Sequence, residues 1–198
     1  MKCIIFTNNA KKCKELQAIL ADQAIEVVRY KDMLGHEIDV IEDGITFEEN
    51  ALKKVRALSQ LKHDIKLADD SGIEVECLDG KPGIYSARYG GEGLTDQERC
   101  KYLLHEIKDK TNRKAQFRCV IAMIFPDGTE QLTHGVVKGT LTHELRGDSG
   151  FGYDPLFIPN GYKQTFAELG HKTKYEISHR GKALVNASNY IKQYCNQL

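Results

Sequence analysis

The sequence predicts one α/β domain over residues 1–198, built on a mixed sheet with some parallel and some antiparallel pairing. Three observations carry that expectation. Short apolar runs alternate with helical-period segments early in the chain, the pattern of strands joined by crossover helices. Two longer strand-like runs then flank a Pro-Asp-Gly turn at 126–128, the mark of a hairpin. A length of 198 residues suits one sizeable core and is short for two independent ones, and no repeat, low-complexity tract or linker divides it.

Each element has its own reason. KCIIF (2–6) reads as a short buried strand, and KKCKELQAILADQ (11–23) follows with Cys13, Leu16, Ile19 and Leu20 at helical spacing. IEVVRY (25–30) reads as a second strand. Thr46 and Glu49 stand three apart before Ala51, Val55 and Leu58, so a capping box opens a helix over 46–61. DIKLADD (64–70) is strand-like and is expected to end at its two aspartates. A second capping box, Thr95 with Glu98, opens a helix over 95–109. Residues 115–125 and 129–141 form the hairpin, and GKALVNASNYIKQYC (181–195) reads as a closing helix.

Composition narrows the function classes. Lys plus Arg and Asp plus Glu balance at 28 each, which argues against a general nucleic-acid or membrane-surface binder. Six cysteines (Cys3, Cys13, Cys77, Cys100, Cys119, Cys195) include no C-x-x-C pair, so neither a zinc cluster nor a disulfide framework is expected. The apolar run Cys3–Phe6 is too short for a signal-peptide core, and no stretch has the length of a membrane helix. A cytoplasmic protein is the expectation.

Six segments hold candidate chemistry. In FTNNAKKCKEL a strand ends at Phe6 and a helix starts near Lys11 after the polar turn of Thr7, Asn8 and Asn9. Free N–H groups at a helix start form an anion site, and an anion would offset the poor placement of Lys11 and Lys12 in the first turn. A solvated lysine patch with an Asn cap is the plainer alternative. In ADDSG, Asp69 and Asp70 stand where open α/β sheets place ligands. Consecutive strand side chains point to opposite faces, so one carboxylate can cap a turn while the other faces a cleft to hold Mg²⁺ or orient a water. Ser71 adds a donor and Gly72 a permissive backbone, although an Asx-turn closing the strand would account for the same residues. Upstream, Glu42 of the acidic loop 39–50 can complete such a metal site, whereas Glu48 and Glu49 read as solvated charge and helix cap.

The glycine-rich stretch 78–93 suggests a functional loop, with Arg88 suited to phosphate oxygens and Tyr85 and Tyr89 read as core aromatics. In GDSGFGYDPLFIP (147–159), Phe151 and Tyr153 beside flexible backbone suit stacking on a flat base, and Asp154 can accept from a ring N–H. Two buried aromatics anchoring a loop is the alternative. Lys172, Lys174, His179 and Arg180 gather donors just before the closing helix. Ser178 beside His179 is not a hydrolase dyad, because adjacent residues seldom align as nucleophile and base and no G-x-S-x-G elbow is present.

Taken in order, TNNAKK, ADDSGIEVECLDGKPGIYSARYGG, FGYDPLF and SHRGKAL closely resemble the inosine triphosphate pyrophosphatase family, over about Phe6 to Leu184. The resemblance implies an α/β fold with an elongated mixed β-sheet flanked by helices, in two lobes around a central nucleotide-binding cleft. It also implies a Mg²⁺-dependent homodimer acting on a purine nucleoside triphosphate, with no nucleic-acid or membrane partner. ITP, dITP or XTP would be cut between the α- and β-phosphates to give the monophosphate and pyrophosphate, clearing deaminated purines from the pool that feeds DNA and RNA. Asp70 then corresponds to the catalytic, metal-binding carboxylate, with Ser71 beside it on the nucleotide and Glu42 as the second metal ligand. The turn of Thr7, Asn8, Asn9, Ala10, Lys11 and Lys12 corresponds to the triphosphate site. Phe151, Gly152, Tyr153 and Asp154 correspond to the base loop, closed by Lys174, His179 and Arg180. A pyrophosphatase for modified pyrimidine or ordinary triphosphates, and a nucleotide-binding sensor without turnover, are the competing readings.

Overall fold

Apolar runs of very different length become the strands of one sheet. A computed structural model describes residues 2–7, 14, 17–18 and 25–197. Its strands are β1 (Lys2–Phe6), β2 (Glu26–Arg29), β3 (Ile65–Val75), β4 (Lys114–Ile124), β5 (Glu130–Leu141) and β6 (Phe157–Pro159). They are ordered β2-β1-β3-β4-β5-β6. β1 pairs in parallel with β2 and with β3, and β5 pairs antiparallel with β6, so the sheet is mixed as the residue pattern predicts. The 126–128 turn closes as a hairpin: Gly128 N–H donates to the Phe125 carbonyl at 2.9 Å, and Gly128 takes φ 87°, which glycine adopts freely.

Five helices are described: α1 (Tyr30–Leu34), α2 (Phe47–Arg56), α3 (Asp96–Glu106), α4 (Phe166–Ile177) and α5 (His179–Cys195). Lys14, Gln17 and Ala18 are also helical. At α3 the capping box of Thr95 and Glu98 forms in full. At α2 it forms by half. Thr46 accepts from Glu49 N–H at 3.1 Å, but the Glu49 carboxylate accepts from Ile45 N–H at 2.8 Å, one residue before the cap. α4 carries a further complete box, Thr165 with Glu168, outside the segments read as helical from sequence.

The chain divides into two compact units. The first takes Met1–Asp70, Cys119–Gly135 and Arg180–Leu198, and the second takes Ser71–Arg118 and Val136–His179. The first is packed around Cys3, Ile5, Ile65, Leu67, Ile121, Met123, Leu184 and Ile191. These are alternate residues of β1, β3 and β4 set against one face of α5, as period-2 strands on a period-3.6 helix require. The second is packed around Ile73, Leu103, Phe117, Leu156, Phe157 and Phe166, with Phe117 and Phe157 edge to face at 4.8 Å. Burial of such side chains contributes on the order of 2 kcal/mol each.

β3 corrects one expectation. It does not stop at the aspartates but runs on to Val75, so Asp69 and Asp70 lie mid-strand and no Asx-turn closes there. What ends is the neighbour, because the last β1 residue, Phe6, is in register with Ala68. The carboxylates therefore begin where β3 outruns β1. Gly72 also has a structural reason. A Cβ there would lie 2.2 Å from the Gly83 carbonyl oxygen, so the glycine admits the 83–86 turn. Tyr85, read as a core aromatic, is 52% exposed, while Tyr89 packs on the second core and meets Tyr102 edge to face.

Candidate active site

In the first unit, α2 and β3 bring charged side chains together. The apolar face of α2 carries Phe47, Asn50, Ala51, Lys54 and Val55, all buried. Lys54 thus enters the protein among core residues. Its Nζ donates to Asp70 Oδ1 at 2.9 Å and to Glu42 Oε2 at 2.9 Å. Burial alone would lower the Lys54 pKa; the opposing charges of Asp70, Asp69 and Glu42, with the Glu42 hydrogen bond, outweigh it and hold the ammonium above its ordinary value. One cation therefore gathers the strand carboxylate and the loop carboxylate that the sequence pairs.

Asp69 takes a separate partner. Its Oδ2 accepts from Arg180 Nε and Nη2, both at 3.3 Å, and the two side chains are 1% and 3% exposed. Asp69 follows Ile65 and Leu67 on the strand face that meets α5, where Arg180 lies, and Asp70 turns to α2. Adjacent like charges are in this way answered by two different cations.

In the second unit, the 147–154 loop is folded on itself. Gly150 takes φ 83°, and a Cβ there would lie 2.1 Å from Asp154 Oδ2. That oxygen accepts from Phe151 N–H at 2.8 Å and from Lys174 Nζ at 2.6 Å. The same ammonium lies 4.1 Å from the centre of the Phe151 ring, a cation–π contact. Tyr153 is buried, and its hydroxyl donates to the Ser86 carbonyl at 2.9 Å. Burial pushes its phenol above the usual range, with the nearby Arg99 charge opposing. Tyr153 therefore anchors the loop, and its ring is not presented for stacking. His179 stacks on Phe117, ring centres 4.8 Å apart and planes 11° from parallel.

Of the remaining sequence candidates, Thr7 is buried at the end of β1 and Ser71 is partly exposed on β3. Arg88 is exposed, with its guanidinium 5.0 Å above the Tyr85 ring. Asn8, Asn9, Ala10, Lys11 and Lys12 lie outside the described residues. Sequence reasoning missed Lys54 and the partnership of Asp69 with Arg180. The signal for Lys54 was present, since it interrupts the buried stripe of Ala51, Val55 and Leu58.

Among the described residues no group of three or more His, Cys, Asp and Glu is placed to hold a metal ion. Two carboxylates converging on one cation are still a sufficient protein share for Mg²⁺, which binds through one or two carboxylates and completes its shell with water and phosphate oxygens. All-oxygen donors also suit it better than a softer ion. Among the described residues no helix is long and apolar enough to cross a membrane.

Residues 3–190 match the Ham1 family. This chain belongs to the Ham1 family. A dITP/XTP pyrophosphatase of Desulfotalea psychrophila is 48% identical over 181 residues, covering 91% of this chain and 81% of that one. Another, from Desulforamulus reducens, is 45% identical and covers 96% of both. The Ham1 protein of Staphylococcus aureus superposes with a TM-score of 0.89 at 37% identity, covering 98% of this chain and 100% of that one. A Ham1 protein from Coxiella burnetii gives 0.88 at 36%, covering 98% and 99%. The Ham1 fold is accordingly the α/β arrangement of a six-stranded mixed sheet with helices described above.

Proposed function

We propose that this chain is a nucleoside triphosphate pyrophosphatase that hydrolyses dITP, XTP and ITP to the monophosphate and pyrophosphate, removing deaminated purines from the nucleotide pool. The observation that carries the reading is the Lys54 ammonium bridging Asp70 and Glu42 in a buried site, in a chain 48% and 45% identical to curated dITP/XTP pyrophosphatases.

One water is consumed and the α–β phosphoanhydride bond is broken. Asp70 orients that water and accepts its proton, the role of a positioned carboxylate in general-base catalysis. Lys54 fixes the direction of both carboxylates, so neither has to reorganise as charge develops. Asp70 and Glu42 are the residues that would hold Mg²⁺, which when bound neutralises phosphate charge. The segment 7–12 takes the triphosphate in this reading.

Base reading falls to the second unit. Phe151 offers its ring to a flat base, and Lys174 and His179 provide donors suited to the 6-oxo group of hypoxanthine or xanthine. Adenine presents an amino group there, and a polar site left unpaired by the wrong base discriminates strongly. Asp154, which accepts from Lys174 and from Phe151 N–H, holds these two groups in place. The enzyme acts as a homodimer in this reading.

The test is a substrate panel of XTP, ITP, dITP, GTP, ATP and dUTP, with and without Mg²⁺, with product identified as pyrophosphate or orthophosphate. Pyrophosphate from XTP and ITP, far faster than from ATP or GTP and only with Mg²⁺, is expected. Orthophosphate as product would overturn α–β cleavage, and equal rates for ATP and ITP would overturn purine surveillance. A preference for dUTP would favour a pyrimidine enzyme, and binding without turnover a sensor.

A further inference from the structure

We propose that Asp96, at the start of α3, is a positioning residue for base selection. It holds the Gly152 amide and so fixes the shape in which the Phe151–Asp154 loop meets the purine. The proposal rests on the base-reading role assigned to that loop above.

The loop's own hydrogen bonds join Phe151 and Asp154 and do not include Gly152 between them. Gly147, Gly150 and Gly152 take φ of 83°, 83° and 60°, a backbone that side-chain-bearing residues rarely adopt. The Gly152 groups are met from outside the loop. Gly152 has no side chain, so its backbone is its only handle, and α3 grips both ends of it. Asp96 Oδ2 accepts from Gly152 N–H at 2.7 Å, and Cys100 Sγ donates to the Gly152 carbonyl at 3.3 Å. Positions 96 and 100 are one turn apart on the same helix face. The residues on either side of Gly152 are Phe151, which offers the ring, and Tyr153, which is tied to the Ser86 carbonyl.

Asp96 is itself held. Its Oδ1 accepts from Arg99 Nη1 at 3.2 Å, and the buried Arg99 donates through Nη2 to the Leu94 carbonyl at 2.9 Å. Capping of α3 does not need Asp96, because Thr95 and Glu98 satisfy each other's backbone N–H groups. A first-turn acid is favoured by the helix dipole, which explains a negative charge at 96 but not its aim at an amide 56 residues further along the chain. A charged acceptor on an amide is among the stronger single hydrogen bonds.

Steady-state kinetics with ITP and ATP in the presence of Mg²⁺ test the proposal. Asp96→Ala is expected to raise KM for ITP by about tenfold, leave kcat little changed, and narrow the preference for ITP over ATP by a similar factor. Asp96→Asn keeps an acceptor oxygen and should recover most of the loss, a rescue that a purely electrostatic helix role would not give. Should the alanine variant fail to fold, Asp96→Ser keeps a polar helix start but is one bond too short to reach Gly152, and takes its place. An unchanged KM and preference in the folded variant would overturn the proposal, as would an equal loss of kcat on both nucleotides at constant KM. Phe151→Ala, measured alongside, separates the two layers. If it relaxes the preference and Asp96→Ala does not, the tether alone falls. If neither relaxes it, the base-reading role of the loop falls and takes the tether with it.

Discussion

Two buried lysines sit on two aspartates in this molecule, and their surroundings differ. Lys54 is divided between Asp70 and Glu42, so two carboxylates face one ammonium. Lys174 pairs with Asp154, which also accepts from Phe151 N–H, and lies against the Phe151 ring, so an aromatic face is added. The first arrangement suits a cation and the phosphates that travel with it, and the second suits an uncharged flat ring.

The largest expected effect breaks that symmetry outright. Asp70→Asn should lower kcat for ITP by about 10³-fold with little change in KM, read as pyrophosphate release on protein whose folded state is confirmed by circular dichroism. Asp154→Asn should act mainly on KM. An equal kcat loss in both variants would erase the division of labour.

Next comes stability. Lys54→Met removes the cation that two carboxylates share and should cost about 3 kcal/mol, read as a lower urea midpoint. Added Mg²⁺ should restore part of this loss. Lys174→Met should also be destabilised, but Mg²⁺ should leave its midpoint where it was. Recovery of both variants by Mg²⁺ would mean that the second cluster also attracts cations.

A smaller effect sharpens the recognition half. Phe151→Ala should narrow the ITP-over-ATP preference about tenfold through KM, the scale of one aromatic–base stack. The smallest concerns the two cores. Burial pushes the Cys3 thiol up to about 12, helped by Asp64 and Cys195, and the Cys100 thiol up to about 12, helped by Asp96 and Asp154. Both thiols stay neutral in the folded state to higher pH than in the unfolded chain, where they ionise near 9.0. The stability they contribute is complete below pH 9 and is lost as pH rises toward about 12. At pH 8.5 a thiol reagent should label the half-buried Cys77 and Cys195 well before either. Fast labelling of Cys100 alone would mean that the second core opens more readily than the first.

Much of this was legible from local pattern. Strands β1, β2, β4 and β5, the hairpin and the α3 capping box depend on residues a few positions apart, and the ADDSG, FGYD and SHR segments announce themselves by composition. What was hidden depends on partners far apart in sequence. Nothing near Asp69 points to Arg180, 111 residues away. The run of β3 past its aspartates was obscured because polar residues mid-strand read as a stop, whereas here Lys54 and Arg180 satisfy them. Helix α4 was masked by Gly170, whose φ of 76° breaks the periodicity from which a helix is read. Tyr153 looked like a stacking residue because an aromatic beside glycines reads the same whether it faces a ligand or the core.

The alternation of Asp69 and Asp70 has a consequence for how β3 finds its place. The parallel pairing of β1 with β3 is short, Cys3 to Phe6 against Ile65 to Ala68. A slip of one residue in one direction would set Ala68 against Arg180. A slip in the other would set Ser71 against Lys54. Either error leaves a buried cation facing a group that cannot neutralise it, at a cost of several kcal/mol. Two neighbouring acids answered from two helices therefore work as a vernier, a pair of marks that coincide at a single setting, and a chain that folds out of alignment forfeits both ion pairs and the stability they carry.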